Sequence, residues 1–238
     1  MINFNTTDTI IFDFGGTLDI NGTHWSMKFW EVYQKNKVPI NYGEFREAYV
    51  YSEPNVSKYV KKDDNLFSTL KTQVSLQLNY LTKRKISFSN GVENYVNQIT
   101  KDCYKDVISN INDTRQLLNS LKLDYKIGLV SNFYGNIKTV CKELDIDSYF
   151  DVIIDSTEIN ISKPEPKIFE LAIKMLKSSP DKTIVIGDSY QRDVIPAKKL
   201  GCKTIWLKGK SWKEEHNTGD ADFIIHSLFE IENICSRK

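Results

Sequence analysis

The sequence predicts an α/β fold, in which a mainly parallel sheet carries helices on both faces and a small helical domain is inserted after the first strand. An apolar run at residues 9–12 ends abruptly in Asp13, which is typical of a strand buried on both faces. Residues 24–108 show only helical periodicity. From Ile111 onward, helices alternate with short β-rich runs, which indicates a parallel sheet.

Size and charge point to a protein with a small-molecule partner. The 238 residues suffice for one core with an inserted domain. With 32 basic against 31 acidic residues, no strong field favours nucleic acid or an anionic membrane. The first eight residues lack a targeting pattern, and no stretch is apolar enough to span a bilayer. We therefore expect a cytoplasmic protein that binds neither nucleic acid nor membranes.

The four cysteines are scattered along the chain without the paired spacing of a metal site. This pattern is typical of reduced thiols in a cytosolic protein. We expect all four to act only in packing. They are Cys103, Cys141, Cys202 and Cys235.

The inserted segment is predicted to contain four helices. Asn41 and Glu44 have the spacing of a capping box at the start of the second helix. Pro54 separates the second helix from the third, and the fourth is expected to start near Asn90. The apolar residues recurring at three- and four-residue steps are Trp25, Phe29, Val32 and Tyr33, then Phe45, Ala48 and Tyr49, then Leu66, Leu70, Val74, Leu78 and Leu81, and finally Val92, Tyr95, Val96, Ile99 and Cys103.

The remaining chain alternates between helices and strands. A helix is expected around residues 117–121, and further helices at 135–144, 166–177 and up to about Leu200, with another at the C-terminus. Strands are expected at residues 126–132, 152–154, 183–188 and 203–207, with an edge strand at 223–225.

Polar residues follow three of the predicted strands: Asp13, Ser131 with Asn132, and Asp188. Ligands of open α/β sheets collect at the carboxyl ends of the strands. Lys163 precedes Pro164, which favours an extended lysine in a fixed loop, and Pro166 suits the first turn of a helix. A carboxylate nucleophile, a hydroxyl, an ammonium and a second carboxylate are the groups needed to form an aspartyl-phosphate with Mg²⁺.

These motifs resemble those of the haloacid dehalogenase-like hydrolase superfamily. They match its pattern in order as Asp13-Phe14-Gly15-Gly16-Thr17, Ser131, Lys163-Pro164 and Gly187-Asp188-Ser189-Tyr190-Gln191-Arg192-Asp193. The resemblance implies a Rossmann-like core, formed by residues 1–23 and 109–238. It also implies that residues 24–108 form a helical cap that closes over the site and reads the substrate.

The resemblance implies specific roles for the matching residues. Asp13 is expected to be the covalent nucleophile and a ligand of Mg²⁺, together with Asp188 and the carbonyl of Gly15. The groups expected to bind the phosphate are Ser131, Asn132, Lys163 and Gly16, of which Ser131 and Lys163 also act in catalysis. Asp193 and Thr17 are expected beside the metal without binding it. Purely structural alternatives are a helix N-terminal charge for Asp193, helix caps for Ser131 and Asn132, and an exposed loop lysine for Lys163.

Gly15 departs from the pattern of the family's phosphatases, which carry a second Asp there. That Asp protonates the leaving oxygen and later activates water, and its carbonyl binds the metal. Glycine keeps the carbonyl and loses the acid. General acid–base help is worth about 10²–10⁴ in rate. Acyl, anomeric and aryl phosphates, whose leaving groups need little protonation, should therefore suffer least, and a longer-lived phosphoenzyme is an alternative outcome.

Other branches of the superfamily match this motif less well. The dehalogenases resemble it but place a larger residue such as Tyr at the position of Gly15. Phosphonatases place Ala there and use an imine-forming cap lysine, for which Lys28 and Lys58 are candidates, although cap lysines usually lie on solvated faces. Asp19 or His24 could replace the missing acid, or could serve only in a turn and at a helix start.

Aromatic residues of the cap could line a pocket for a ring-bearing substrate or could pack in the cap core. They are Trp25, Trp30, Tyr33, Tyr49 and Tyr51. Taken together, the sequence predicts a Mg²⁺-dependent phosphohydrolase that acts on a small phosphorylated metabolite through an aspartyl-phosphate. The alternative is a catalytically idle relative that binds Mg²⁺ and a phosphorylated ligand as a sensor or partner.

Overall fold

The computed structural model of the chain describes residues 6–89, 91–212, 219 and 221–235. Asn90, near which a helix start is expected, lies outside these residues, and the side chain of Cys235, for which a packing role is expected, is not described. Cys103, Cys141 and Cys202 are free and buried, in agreement with a packing role.

A six-stranded parallel sheet forms the centre of the molecule and confirms the predicted fold class. The strands are β1 Thr9–Phe12, β2 Lys126–Ser131, β3 Val152–Asp155, β4 Thr183–Gly187, β5 Lys203–Leu207 and β6 Phe223–Ile225. They lie in the order β3-β2-β1-β4-β5-β6. Phe12, the last residue of β1, pairs with Leu129 of β2 and Ile186 of β4, and β2 and β4 continue for two residues and one residue beyond these partners. The carboxyl ends of the three strands therefore lie close together.

Successive residues of β1 point to opposite faces of the sheet, and both faces are buried under helices. Ile10 and Phe12 belong to one buried cluster and Ile11 to another. The first cluster includes α4 Val92–Leu121 and α5 Ile137–Glu143, and the second includes α7 Lys167–Met175 and α8 Ile195–Lys199. Two further short helices are α6 Ser156–Ile159 and α9 Ile231–Cys235. Burial of each of these large side chains contributes roughly 1.5–3 kcal/mol to folding.

The segment inserted after β1 is helical, as its periodicity predicts. Its helices are α1 Trp25–Lys35, α2 Tyr42–Ser52, α3 Leu66–Lys83 and the first half of α4. The predicted capping box is present, since Asn41 Oδ1 accepts from the Glu44 backbone at 3.0 Å and Glu44 Oε2 accepts from the Asn41 backbone at 2.8 Å. Pro54 lies in a short 3₁₀ turn, Glu53–Lys58, which separates α2 from α3 as expected.

The fourth cap helix and the helix expected around residues 117–121 are one continuous helix, α4, of 30 residues. No Gly or Pro interrupts the sequence between Val92 and Leu121, so nothing there ends the helix. The predicted boundary at 108/109 therefore falls inside α4, and the domain limits stay a prediction. Just beyond it, Asn110 Nδ2 and Thr114 Oγ1 donate to the carbonyl of Leu18 at 3.0 and 2.9 Å, which attaches α4 to the loop after β1.

Among the residues described, no helix is both long enough and apolar enough to cross a bilayer.

Candidate active site

Asp13 lies at the end of β1 and is 7% exposed. Its backbone N–H donates to the Ile186 carbonyl at 2.9 Å. This hydrogen bond continues the sheet by one residue and fixes the backbone from which the carboxylate extends. Thr17 Oγ1 donates to Asp13 Oδ2 at 3.2 Å. Gly16 turns the chain with a φ of +92°, and a Cβ on it would lie 2.4 Å from Asp188 Oδ2. Only glycine fits there, because the turn needs a positive φ and the carboxylate of Asp188 comes so close.

Lys163 is buried between two carboxylates. Its Nζ donates to Asp13 Oδ1 at 2.5 Å and to Asp193 Oδ1 at 2.7 Å. Asn132 holds the lysine backbone, because its Nδ2 donates to the Lys163 carbonyl at 2.9 Å and its Oδ1 accepts from the Lys163 N–H at 2.8 Å. The Lys163–Pro164 peptide bond is cis. Although burial opposes it, the two carboxylates raise the pKa of Lys163 above its usual value, so the side chain is an ammonium.

Three carboxylates meet at this edge of the sheet. Oxygens of Asp13, Asp188 and Asp193 all lie within 4.8 Å of one another. Burial, reinforced by the neighbouring carboxylates, raises the pKa of Asp188 well above its usual value, and burial raises that of Asp193 to about 6. One ammonium against three carboxylates leaves an excess of negative charge in a largely buried site. Such a set of oxygen donors suits a divalent cation such as Mg²⁺.

The carboxylates of Asp188 and Asp193 differ in how many hydrogen bonds they accept from the protein. Both oxygens of Asp193 are occupied, one by Lys163 and the other by the Ser189 N–H at 3.1 Å. By contrast, the carboxylate of Asp188 accepts no hydrogen bond from any residue in the described part of the chain, so its oxygens are available to a cation. This difference fits a ligand role for Asp188 and an adjacent, orienting role for Asp193.

Ser131 lies at the same edge of the sheet as Asp13. It is the last residue of β2, is 2% exposed and lines the same cleft as Asp13. No hydrogen bond joins its Oγ to another described residue, so the hydroxyl is available to a phosphoryl oxygen. Thr17, by contrast, is engaged, because it also accepts from the Asp188 backbone N–H at 3.1 Å.

Trp25 lies beside Gly15, the position at which the resemblance predicts a carboxyl group in a phosphatase. A Cβ built on Gly15 would lie 3.6 Å from Trp25 Cδ1, which is ordinary van der Waals contact. Trp25 Nε1 donates to Asp19 Oδ2 at 2.7 Å, and the Gly16 N–H donates to Asp19 Oδ1 at 2.7 Å. Both oxygens of Asp19 thus hold the loop and the indole in place.

His24, the other candidate acid, caps the start of α1. Its Nδ1 lies 2.7 Å from Ser26 Oγ and accepts from the Ser26 backbone N–H at 3.2 Å, and its ring stacks on Trp212. The imidazole also lines the cleft. Lys28 and Lys58 do not line the cleft: Lys28 pairs with Asp106 at 3.1 Å, and Lys58 donates to Asn55 Oδ1 at 2.7 Å. The structure therefore gives no support to an imine-forming lysine in the cap.

Asp19→Asn should change how the stability depends on pH. Burial raises the pKa of Asp19 from 3.8 to about 7. Between these values the folded chain binds the extra proton, so the free energy of unfolding should fall as pH rises, by up to about 1.4 kcal/mol per pH unit. In Asp19→Asn this contribution to the slope should be absent.

The measurement is urea unfolding of the parent and Asp19→Asn at pH 4.5, 5.5, 6.5 and 8, in EDTA. The difference between the two proteins isolates Asp19, because Asp188 and Asp193 titrate in both. Parallel curves for parent and variant over this range would contradict the assignment.

The helical segment predicted to be the cap contributes residues to the lining of the cleft, and the structure divides its aromatic residues into two groups. Trp25 and Tyr49 line the cleft. Tyr33 is buried in the cap with its hydroxyl 2.8 Å from Gln77 Oε1, Trp30 packs on Phe45, and Tyr51 stacks on Tyr80. The cap residues lining the cleft are His24, Trp25, Tyr49, Glu53, Leu66, Thr69, Leu70 and Gln73.

Several residues of the cleft have no predicted role in the sequence analysis. Gln73 could have been found from the sequence, because it is a polar residue on the apolar face of α3, and such a residue often has a functional role. Arg192 and Tyr134 also line the cleft, and the Trp206 Nε1 donates to the Asp188 carbonyl at 2.9 Å.

Comparisons with known proteins agree with this geometry. The profile of the haloacid dehalogenase-like hydrolases matches residues 7–201. A glyceraldehyde 3-phosphate phosphatase of Pyrococcus furiosus is 32% identical over 130 residues, which is 52% of this chain and 53% of that protein. The pyrimidine 5'-nucleotidase YjjG of Escherichia coli is 27% identical over 51% of this chain and 54% of that protein. The chain spans about half the length of the curated relatives it matches.

Solved structures share the fold over nearly the whole chain. A HAD-hydrolase of Bacillus subtilis, YfnB, solved with bound magnesium, has a TM-score of 0.61 at 14% identity and covers 97% of this chain and 99% of that one. A dehalogenase has a TM-score of 0.68 at 15% identity, with both chains fully covered. At these identities the likeness concerns the fold alone, so the choice between chemistries depends on the site.

Proposed function

Since this chain belongs to the haloacid dehalogenase-like hydrolases, we propose that it is a Mg²⁺-dependent phosphohydrolase that acts on a small phosphorylated metabolite through an aspartyl-phosphate on Asp13. The cluster of three carboxylates around one ammonium is the observation that carries the proposal. Displacement of a halide by a carboxylate needs no cation, whereas transfer of a dianionic phosphoryl group next to these carboxylates does. Two relatives named for phosphate ester hydrolysis support the same interpretation.

In the first step, an oxygen of Asp13 attacks phosphorus while the bond from phosphorus to the leaving oxygen breaks. The Lys163 ammonium, already 2.5 Å from Asp13 Oδ1, neutralises charge on the transferring group, and the Ser131 hydroxyl donates to a phosphoryl oxygen. Mg²⁺ held by Asp13, Asp188 and the Gly15 carbonyl would supply further neutralisation and alignment. Water then attacks phosphorus of the aspartyl-phosphate, which regenerates the Asp13 carboxylate and releases inorganic phosphate.

The leaving oxygen receives no proton from residue 15, because Gly15 has no side chain and the indole of Trp25 packs beside it. The preferred substrates are therefore phosphates whose leaving group departs with little protonation, such as acyl, anomeric or aryl phosphates. Asp19 offers no ready substitute, since both its oxygens accept hydrogen bonds from N–H groups of the loop and of Trp25.

The test is phosphate release from a panel that spans leaving-group quality, with Mg²⁺ and with EDTA. It contains p-nitrophenyl phosphate, acetyl phosphate, glucose 1-phosphate, sugar 6-phosphates, glyceraldehyde 3-phosphate and pyrimidine 5'-monophosphates. Metal-dependent turnover, highest for the best leaving groups, is the expected result. Silence across the panel, with Mg²⁺ binding still measurable by calorimetry, would favour the second candidate, a catalytically idle ligand-binding relative, which the absence of an acid at Gly15 supports.

Gly15→Asp should speed the hydrolysis of alkyl phosphates, because it restores a proton donor at the leaving oxygen. The full increase should be about 10²–10⁴ in kcat. The single variant should show part of it, and the double variant with Trp25→Ala should show more, because the smaller side chain leaves room for the new carboxyl group. Acetyl phosphate turnover should rise less than threefold, since its leaving group needs no proton.

Gly15→Ala, alone and combined with Trp25→Ala, is the matched control, because it adds the Cβ without the acid. We expect it to leave the ratio of alkyl to acyl phosphate turnover unchanged. An equal rise for both substrate classes, or a rise in Gly15→Ala, would show that leaving-group protonation is not the limiting feature.

A further inference from the structure

Gln73 is a buried amide at the roof of the cleft without a hydrogen-bond partner among the described residues. It is 5% exposed and lines the same cleft as Asp13, next to Leu66 and Leu70 on α3. Because Gln73 lies at the wall of the cleft, its amide is open to water or to a ligand, either of which can supply its hydrogen bonds. Gln77, one turn further along α3, does not line the cleft. Its Oε1 accepts from the Tyr33 hydroxyl at 2.8 Å, and its Nε2 is buried without a partner among the described residues.

Tyr49 presents a second polar group of the same kind. Its side chain is 2% exposed and lines the cleft, and its hydroxyl bonds to no residue within the described ranges. Burial raises the pKa of Tyr49 well above its usual value of 10, so the hydroxyl stays neutral and can both donate and accept. The cap thus offers the leaving group an amide and a hydroxyl.

Acidic residues outnumber basic ones among the described residues that line the cleft. The acids are Asp13, Asp19, Glu53, Asp188 and Asp193, and the Lys and Arg residues are Lys163 and Arg192. Lys163 is committed to Asp13 and Asp193. Among the described lining residues this leaves one further Lys or Arg side chain, Arg192, against the five acids, so a carboxylate or second phosphate on the leaving group would meet an excess of negative charge.

We propose that Gln73, assisted by Tyr49, determines substrate choice by hydrogen bonding to uncharged hydroxyl groups of the leaving group, so that the preferred substrates are monophosphates of small, neutral polyhydroxy compounds. This inference rests on the proposed phosphohydrolase function. Anomeric phosphates of neutral sugars meet two requirements: they carry uncharged hydroxyl groups, and their leaving group needs little protonation.

The test compares three esters in the parent and in Gln73→Leu. Glucose 1-phosphate has the neutral hydroxyls, glucuronic acid 1-phosphate differs from it only by a carboxylate in place of one hydroxymethyl group, and phenyl phosphate has no polar group beyond the ester. The parent should prefer glucose 1-phosphate to glucuronic acid 1-phosphate by at least about tenfold in kcat/KM. Gln73→Leu should lower kcat/KM for glucose 1-phosphate by about 10–100-fold and leave phenyl phosphate within about twofold.

Gln77→Leu is the matched control, because it makes the same change on the same helix outside the cleft. It should leave the ratio of glucose 1-phosphate to phenyl phosphate turnover unchanged, even if it lowers the melting temperature. Tyr49→Phe should shift that ratio in the same direction as Gln73→Leu. Equal losses on both esters in Gln73→Leu, the same ratio change in Gln77→Leu, or a preference for glucuronic acid 1-phosphate would each overturn the inference.

Failure of the proposed function has a different signature. If the parent releases no phosphate from any of the three esters, the dissociation constant of glucose 1-phosphate in Mg²⁺ is measured by calorimetry for the parent and Gln73→Leu. At least tenfold weaker binding in the variant would support the role of Gln73 without catalysis. Equal or undetectable binding in both proteins would overturn it.

Discussion

Asp13→Asn is expected to lower Mg²⁺-dependent phosphate release by roughly 10⁴–10⁶-fold, the range for loss of an enzymatic nucleophile. The amide cannot form the acyl-phosphate bond, because its nitrogen and carbonyl oxygen are far weaker nucleophiles than a carboxylate. The neighbouring geometry should persist, since the amide introduced by this substitution keeps an oxygen that can accept from Lys163, and Asp193 still pairs with the ammonium at 2.7 Å.

The matched control is Asp8→Asn, an identical change just before the other end of β1. Asp8 accepts from Thr9 and Ser178 and does not line the cleft. We expect this variant to keep the parent's kcat. The decisive measurement is a burst of protein-bound phosphate from ³²P-labelled acetyl phosphate that survives an acid quench and is released by hydroxylamine. This burst should appear in the parent and vanish in Asp13→Asn. Turnover of Asp13→Asn near the parent rate would remove Asp13 from the mechanism.

Removal of divalent metal is expected to abolish turnover and to lower the free energy of unfolding. The three carboxylates carry more negative charge than Lys163 can balance, so a bound cation relieves their repulsion in the folded chain. A ligand at 100 times its dissociation constant stabilises the fold by about 2.7 kcal/mol. Addition of Mg²⁺ to EDTA-treated protein should raise the melting temperature and restore phosphate release.

Asp188→Asn should weaken both effects of Mg²⁺, because it removes the carboxylate whose oxygens are available to a cation. It should also make the metal-free protein more stable, since burial and the nearby carboxylates raise the pKa of Asp188 and penalise its charge. Asp222→Asn is the control: Asp222 is a half-buried carboxylate outside the cleft, paired with Lys198 at 2.9 Å. Equal responses of the two variants to Mg²⁺ would contradict a metal site at Asp188.

The sequence alone was sufficient to predict the sheet and the residues that meet at its edge. Strand character in β1 depends on local apolarity, and residues at the carboxyl ends of parallel strands must converge, so Asp13, Ser131 and Asp188 could be grouped before their positions were known. The resemblance added Lys163, whose loop is not part of a strand. Helix capping at Asn41 was likewise readable, because its two hydrogen bonds join residues only three apart.

The length of α4 was harder to predict from the sequence. Its apolar positions are clear on both sides of residue 108, but whether two helices fuse depends on what each half packs against. The first half packs in the cap, and the second half lies against the sheet and donates from Asn110 and Thr114 to the Leu18 carbonyl. Hydrophobic periodicity indicates which face of a helix is buried, but it does not indicate which element packs against that face.

The roles of individual polar residues were decided only by the tertiary structure. Asp19 and His24 are plausible acids by type, yet the fold uses Asp19 to hold Gly16 and Trp25, and His24 to cap α1. Gln73 and Gln77 are one residue type on one helix, and the fold brings only Gln73 to the cleft. The sequence by itself determined the fold class, the family and the set of groups at the sheet edge, because these depend on local pattern and strand order. Which groups stay unpartnered depends on contacts between residues far apart in the chain, such as Lys163 with Asp13, and only the tertiary structure decides those.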